Sequence, residues 1–531
     1  MGNEVKYTNF KRSAGILMAI SSIPSPYGIG TFGKSAYEFV EFIKKSNHKY
    51  WQVLPLGPTG YGDSPYQTCS VFAGNPYYID LDILIEEGLL TQSYVRSFDW
   101  GDGTMPVSVS EDGAQQSSEE ICRDEKLGNQ SYVNYEKIFL SRFSVLATAF
   151  ENFRNKRMES GCKEYDDFVT LNNDWLEDYS IYMACKAYFG YSDWNKWDDE
   201  IKFRNPDALL KYKEKLAKEI EFWEFCQFEF FKQWNNLKKY ANDNGIEIIG
   251  DIPIYTALDS ADVWANIKMF QLDDKLAPTQ VAGVPPDAFT SLGQKWGNPI
   301  YDWDLMEKDG FSWWETRMKK AAELYDIIRI DHFIGIVKYY TIPTGCPDAT
   351  IGEYKIGPGK KLTDVINQAI GDKKIIAENL GVSIPQVEEL LKENNYPVME
   401  VLEFAFDGNS DNPHIPYNYE KNSVVYGGTH DNETLQGFFN ERNDQELEYA
   451  YDYLGTRDKN LLVDQVFRSA YGSVANLVVF QVQDILKLDN TARMNFPSTV
   501  GDNWKWRLRS GQLDEKHFNS LEYLVRIFGR R

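Results

Sequence analysis

The sequence predicts an α/β protein, a (β/α)8 TIM barrel enlarged by subdomains inserted between its strands and followed by no separate C-terminal β-sandwich. Three observations lead there. Short apolar segments recur at 15–20, 50–56, 246–255, 327–334, 374–378, 398–406, 423–429 and 477–482, with helical stretches between most of them. The interval from Gly57 to Asn244 is far too long for one crossover helix and has to hold a subdomain. Acidic residues stand at the ends of three of these strands, the end where a parallel barrel gathers its chemistry.

Taken in order, the first strand needs separating from a secretory signal, because Lys11 and Arg12 precede the apolar run 14–20. That run is short for a signal core, lacks a small-x-small cleavage site and leads into Ser-Ser-Ile-Pro-Ser-Pro-Tyr-Gly, so it reads as a barrel strand. After the second strand, a mainly helical inserted subdomain is expected over 76–240. Within it, 99–129 is rich in Gly, Ser, Asp and Glu and reads as surface loop. The stretch 209–241 mixes charges with Phe222, Trp223, Phe225, Phe228, Phe230, Phe231 and Trp234 and reads as helix, its aromatics serving packing. A second inserted segment is expected over 257–320, and 507–531 reads as a last helix closing a single catalytic barrel that spans 1–531.

Composition narrows the partners. At 43% hydrophobic and 15% aromatic the chain is neither disordered nor fibrous. Acidic residues outnumber basic ones 79 to 56, a net charge of -23, which excludes nucleic acid and anionic membranes as natural partners. No stretch is long and apolar enough to span a bilayer. The 14 Trp, 33 Tyr and 31 Phe offer flat apolar faces with polar edges, which suit sugar rings, although a large core uses most of them. Cysteines 69, 122, 162, 185, 226 and 346 form no Cys-x-x-Cys pair, which points to reduced thiols in a cytoplasm and away from structural zinc.

The chemistry is legible at strand ends. Asp331 ends Ile-Ile-Arg-Ile-Asp, Glu378 ends Ile-Ile-Ala-Glu, and Asp431 ends Gly-Gly-Thr-His-Asp. Parallel strands bring all three to one mouth. Glycosidic bond cleavage needs such a set: one carboxylate attacks the anomeric carbon, while another gives its proton to the departing oxygen. Arg329, two residues before Asp331 and so on its face of the strand, is expected to keep Asp331 ionised as the nucleophile. Glu378 sits among apolar residues with no cation beside it in sequence, so a raised pKa is expected of it. His332 and His430 can donate to sugar hydroxyls, and Asp431 can grip the hydroxyls of a distorted ring.

These segments resemble those of the 4-α-glucanotransferases, also called amylomaltases or disproportionating enzymes, which form glycoside hydrolase family 77 of the α-amylase clan. The likeness spans nearly the whole chain. It continues in Tyr-Gly-Asp-Ser-Pro-Tyr-Gln (61–67), Phe-Ala-Gly-Asn-Pro-Tyr (72–77), Gly-Asp-Ile-Pro-Ile (250–254), Asp-Ser-Ala-Asp-Val-Trp (259–264), Ala-Gly-Val-Pro-Pro-Asp (282–287), Gly-Gln-Lys-Trp-Gly-Asn-Pro (293–299) and Arg-Met-Asn-Phe-Pro (493–497). The resemblance implies that Asp331 is the nucleophile, Glu378 the acid/base and Asp431 the transition-state stabiliser. It further implies that Asp251, Arg329, His332, His430 and Asn495 bind the sugar, with Ser64 and Tyr66 on the acceptor side. A loop over 286–296 is expected to arch over the glucan with Phe289, Gln294 and Trp296. Two positions depart from the family pattern: Ala288 stands where an aromatic is usual, and Asn379 replaces a frequent Asp. Asp251 is followed by Ile-Pro-Ile-Tyr rather than by the Asn and His of ordinary α-amylases, so their calcium site is not expected.

The implied activity needs no cofactor and no metal. It is the transfer of α-1,4-glucan segments between maltooligosaccharides, by a monomer or homodimer. An α-glucan hydrolase of the same clan, a catalytically silent glucan-binding protein and an unrelated barrel that uses its carboxylates for a metal are the competing readings.

Overall fold

In the computed structural model, described over residues 10–60, 62–101, 131–286, 290–381 and 384–531, eight parallel strands form the central sheet. They are β1 (Ser13–Leu17), β2 (Tyr50–Gln52), β3 (Glu247–Pro253), β6 (Ile327–Asp331), β9 (Lys374–Ala377), β10 (Val398–Val401), β11 (Ser423–Tyr426) and β12 (Leu477–Gln481). Their order is β10-β11-β12-β1-β2-β3-β6-β9, so all eight expected strands are present, and β1 pairs with both β12 and β2 in the middle of the sheet. The sheet curls into a nearly closed (β/α)8 barrel. Across the seam between its ends, Met399 N–H donates to Asn379 Oδ1 at 3.0 Å.

The period of two along each strand decides what faces the barrel axis. Ile249, Ile327, Ile376, Met399, Val424, Tyr426 and Val479 pack together in the barrel interior, while Ile248, Ile328, Ile330 and Val478 belong to the outer core beneath the helices. Burying each such aliphatic side chain contributes roughly 1.5–3 kcal/mol. Because Ile327 points inward and Ile328 and Ile330 outward, Arg329 and Asp331 are inward residues above Ile327. Gly250 faces outward on β3, where a Cβ would stand 2.1 Å from the ring of Tyr325. The glycine lets that aromatic pack flat on the strand.

Four further strands, β4 (Gln280–Val284), β5 (Gln294–Pro299), β7 (Lys338–Pro343) and β8 (Glu353–Ile356), form a separate antiparallel sheet in the order β5-β4-β7-β8. Among the described residues between β2 and β3 the chain is mainly helical, and the longest helix there, Ala217–Asp243, buries Trp223, Phe225, Phe228, Phe230 and Trp234.

Several expected elements differ in extent. Stretch 209–241 is divided at Leu216 between the helices Pro206–Lys215 and Ala217–Asp243. The last helix is confined to Glu515–Ile527, because Asp514 caps its N-terminus through the backbone N–H groups of Lys516 and His517. Strand β10 ends at Val401 and passes into a 3-10 turn, Leu402–Phe404, rather than running on to 406. The expected surface loop at 102–129 lies outside the described residues. Among the described residues, no helix is long and apolar enough to cross a membrane.

Candidate active site

The inward residues of β3 and β6 meet in register, Asp251 opposite Arg329 and Pro253 opposite Asp331. Arg329 Nη1 donates to both oxygens of Asp251, at 2.7 and 2.6 Å, and to Asp331 Oδ1 at 3.0 Å. Its Nη2 stands 3.1 Å from Glu378 Oε2. Glu378 is the first residue past β9, held there by a bond from its backbone N–H to Ile330 O at 3.1 Å. One guanidinium thus touches three carboxylates. The Asp251 and Arg329 side chains are 0% and 2% exposed, and those of Asp331 and Glu378 are 24% and 20% exposed. Asp251 and Arg329 therefore form a sealed floor, and the other two open towards the mouth.

Three carboxylates against one cation cannot all ionise cheaply, and the titrations of Asp331 and Glu378 are linked. Burial, then the charge of Glu378, pushes Asp331 well above the carboxylate range, against the pull of Arg329. At Glu378, burial also raises the pKa, but Arg329, the bond from Asp331 and the His332 N–H outweigh it and hold the group below its usual value. This reverses both sequence expectations for the unliganded pair. A cation does stand beside Glu378, contributed by the adjacent strand and so invisible in the sequence around Glu378, while the anion of Glu378 competes with Arg329 at Asp331.

His332 has a φ of 51°, a left-handed conformation uncommon for a non-glycine residue. With it, the backbone N–H donates to Glu378 Oε2 at 2.7 Å. Burial lowers the imidazole pKa, with Glu378 partly opposing, which favours a neutral ring. The indole of Trp296 meets this ring edge-on at 4.8 Å, and Trp296 Nε1–H donates to Gln294 Oε1 at 3.1 Å. Both residues lie on β5, which Gln67 holds from below through Asn298 Oδ1 at 2.9 Å.

Asp431 arrives by a different route. It lies on the loop beyond β11, five residues past the end of the strand rather than at it. Tyr66 spans the gap to the floor: its hydroxyl donates to Asp251 Oδ2 at 2.9 Å and lies 3.1 Å from His430 Nδ1. Burial and the neighbouring Asp251 raise the phenol well above its usual pKa, so its one proton stays in place for Asp251 and His430 Nδ1–H is the donor to Tyr66. The two rings also stack, with centroids 4.6 Å apart. His430 Nε2 is then 3.5 Å from Asp431 Oδ2. On the other side, Asn495 Nδ2–H donates to Asp431 Oδ1 at 2.6 Å, and Arg493 Nη2–H to Asp431 O at 2.6 Å.

Comparison with known proteins fixes the family. The family model described as 4-alpha-glucanotransferase matches residues 18–513. The chain belongs to the 4-α-glucanotransferase family. It is 45% identical over 515 residues to the 4-alpha-glucanotransferase of Clostridium butyricum, covering 97% of this chain and 100% of that one. To the enzyme of Thermus thermophilus it is 42% identical over 513 residues, covering 95% of this chain and 96% of the relative. The amylomaltase of Streptococcus agalactiae, solved in complex with acarbose, superposes with a TM-score of 0.89 at 38% identity, over 98% of this chain and 100% of that one. Amylomaltase from Corynebacterium glutamicum, at 16% identity and a TM-score of 0.76 over 97% of this chain and 75% of that one, shares the fold. Membership of this family carries 4-α-glucanotransferase activity.

Of the expected site residues, Asp251, Arg329, Asp331, His332, Glu378, Tyr66, His430, Asp431, Asn495, Gln294 and Trp296 make the contacts above. Ser64 acts one turn away, where its hydroxyl accepts the Tyr66 backbone N–H at 3.2 Å and shapes the turn that delivers Tyr66. Ala288 and Phe289 lie outside the described residues. Asn379 accepts the seam bond from Met399 N–H, a role that needs only an acceptor oxygen. Sequence reading missed Arg493 as the clamp on the Asp431 backbone and Gln67 as the support of β5. Both belong to segments already singled out, Arg-Met-Asn-Phe-Pro and Tyr-Gly-Asp-Ser-Pro-Tyr-Gln, which was the available signal.

Proposed function

We propose that this 4-α-glucanotransferase transfers α-1,4-glucan segments between maltooligosaccharides by double displacement, with Asp331 as nucleophile, Glu378 as acid/base and Asp431 as stabiliser of the distorted ring. The observation that carries the assignment is that Asp331 and Glu378 meet on one guanidinium, at 3.0 and 3.1 Å. A pair holding one proton supplies both the anion and the acid that a retaining reaction needs. A sugar seated between them parts them, the proton passing from Asp331 to Glu378 while Arg329 stays on Asp331. Asp331 then attacks C1 as the glycosidic oxygen takes the proton of Glu378 and leaves with the reducing-end fragment. The 4-hydroxyl of an acceptor next gives its proton to Glu378 and attacks C1, which releases Asp331 and forms a new α-1,4 bond. Asp251, Arg329, His332, His430 and Asn495 line the donor side, and Ser64 and Tyr66 face the acceptor.

Acceptor over water is a matter of positioning and water exclusion. In our reading the helical block over 76–240 and the segment over 257–320, with its loop 286–296, supply both. The complex of the Streptococcus agalactiae relative with acarbose supports a glucan-shaped site here. The cysteines described, Cys69, Cys162, Cys185, Cys226 and Cys346, are free thiols, which suits work in the cytoplasm, as a monomer or homodimer.

Incubation with maltotriose tests the reading. Glucose together with maltopentaose and longer chains is expected; glucose and maltose without longer products would make the chain a hydrolase instead.

A further inference from the structure

The loop that carries His430 and Asp431 is approached from both flanks by buried acids that the mechanism does not use. Strand β11 lies between β10 and β12. Glu403 stands in the turn after β10, 9% exposed, and Asp484 in the turn of helix after β12, 1% exposed. Glu403 N–H donates to Gly427 O at 3.1 Å, and Glu403 Oε2 accepts from Asn432 Nδ2–H at 3.1 Å. Asn432 Oδ1 in turn accepts from both the N–H and the hydroxyl of Thr429, each at 2.9 Å, and Thr429 Oγ1 accepts from Asp431 N–H at 3.3 Å. From the other flank, Asp484 Oδ1 accepts from Leu435 N–H at 2.8 Å. Gly428 passes so close that a Cβ there would stand 2.7 Å from Glu403 Oε1. The remaining oxygens, Glu403 Oε1 and Asp484 Oδ2, are buried with no hydrogen-bond partner.

We propose that Glu403 and Asp484 clamp the β11 loop from its two flanks, and that Glu403 is a positioning residue that sets Asp431 through Asn432 and Thr429. The clamp works with Glu403 uncharged. Two buried carboxylates on the flanks of one loop, each with an unpartnered oxygen, are costly as a pair of anions. Burial and then the charges of Asp484 and Glu433 push Glu403 well above the carboxylate range, with the bond from Asn432 and then Arg493 only partly opposing, and burial pushes Asp484 up to about 7. Glu433 is itself engaged by Arg442 at 2.9 Å and by Asn490 at 2.8 Å. The sign follows: the clamp is whole while Glu403 keeps its proton and loosens as pH rises through its raised pKa, so turnover falls on the alkaline side.

The inference rests on the assignment of Asp431 above. Its test compares Glu403→Leu, Glu403→Gln and Asp431→Asn in maltotriose disproportionation, with kcat and KM measured from pH 5 to 9 and folding followed by circular dichroism. Glu403→Leu removes the acceptor of Asn432 and is expected to lower kcat at least tenfold while KM changes less than threefold. Glu403→Gln keeps a neutral acceptor, is expected to hold kcat within about threefold, and extends activity to higher pH because it has no proton to lose. If Glu403→Leu turns over normally, or Glu403→Gln loses a hundredfold, Glu403 does not position Asp431 in its uncharged form. Should Glu403→Leu fail to fold, the pH profile of Glu403→Gln decides: an alkaline limb unmoved from that of the natural protein overturns the proposal. An active Asp431→Asn, by contrast, would undo the role of Asp431 itself, whatever Glu403 does.

Discussion

The floor of the site and its loop side hold their carboxylates by different means. On the floor, strand register alone brings Asp251, Arg329 and Asp331 together, and a charged hub 2% exposed ties them to Glu378. On the loop side, Asp431 is 47% exposed and is placed by partners reaching in from elsewhere: Asn495 at 2.6 Å and Arg493 on its backbone. A register cannot shift by less than a residue, which would turn Asp331 to the outer face. A loop held by side chains can be tuned bond by bond. In the proposed mechanism the atoms that form and break covalent bonds are therefore on the rigid side, and the group assigned to the changing shape of the sugar ring is on the adjustable one.

The largest effect is expected where the floor is broken. Arg329→Met leaves Asp251, 0% exposed, without its cation and removes the positive charge from Asp331 and Glu378. Losing one partner of a buried pair costs about 3–5 kcal/mol. A fall in melting temperature and loss of turnover together are expected, the first by calorimetry and the second by maltotriose assay. An unchanged melting temperature would show that Asp251 does not depend on Arg329.

How much of this was readable beforehand follows the same division. Arg329 and Asp331 were legible because a two-residue period is a property of one strand, and Ile327, Ile328 and Ile330 report it directly. The Arg329–Glu378 contact was not, because the cation and the acid lie on neighbouring strands, 49 residues apart in a sequence that carries no register. Asp431 was expected to end its strand, yet β11 stops at Tyr426, since Gly427 and Gly428 carry the chain past Phe480 and Glu403 into the loop. The eight barrel strands were all found, their C-terminal limits overestimated where apolar residues continue into turns, as at Leu402 and Phe404.

A middle effect is expected at the bridge between the two sides. Tyr66→Phe removes the donor to Asp251 and the acceptor of His430 while keeping the stacked ring. Each lost bond to a buried partner costs about 1–3 kcal/mol, so kcat/KM is expected to fall roughly ten- to a hundredfold with the melting temperature little changed. If Tyr66→Phe costs nothing further once Asp431→Asn is in place, the bridge acts through the loop; if it costs as much there as with Asp431 intact, it acts on the floor.

The smallest effect is expected on the adjustable side. Asn495→Ala removes the donor to Asp431 Oδ1 but leaves Arg493 on the Asp431 backbone and His430 beside its other oxygen. Because Asp431 is half exposed, water can replace the missing donor, and the cost is that of one partly solvated bond, about 0.5–1.5 kcal/mol. A fall in kcat of about three- to tenfold is expected, with little change in KM for maltotriose and none in melting temperature. A loss as large as that of Arg329→Met would mean that Asp431 is fixed as rigidly as Asp331, and the contrast between the two sides would fail.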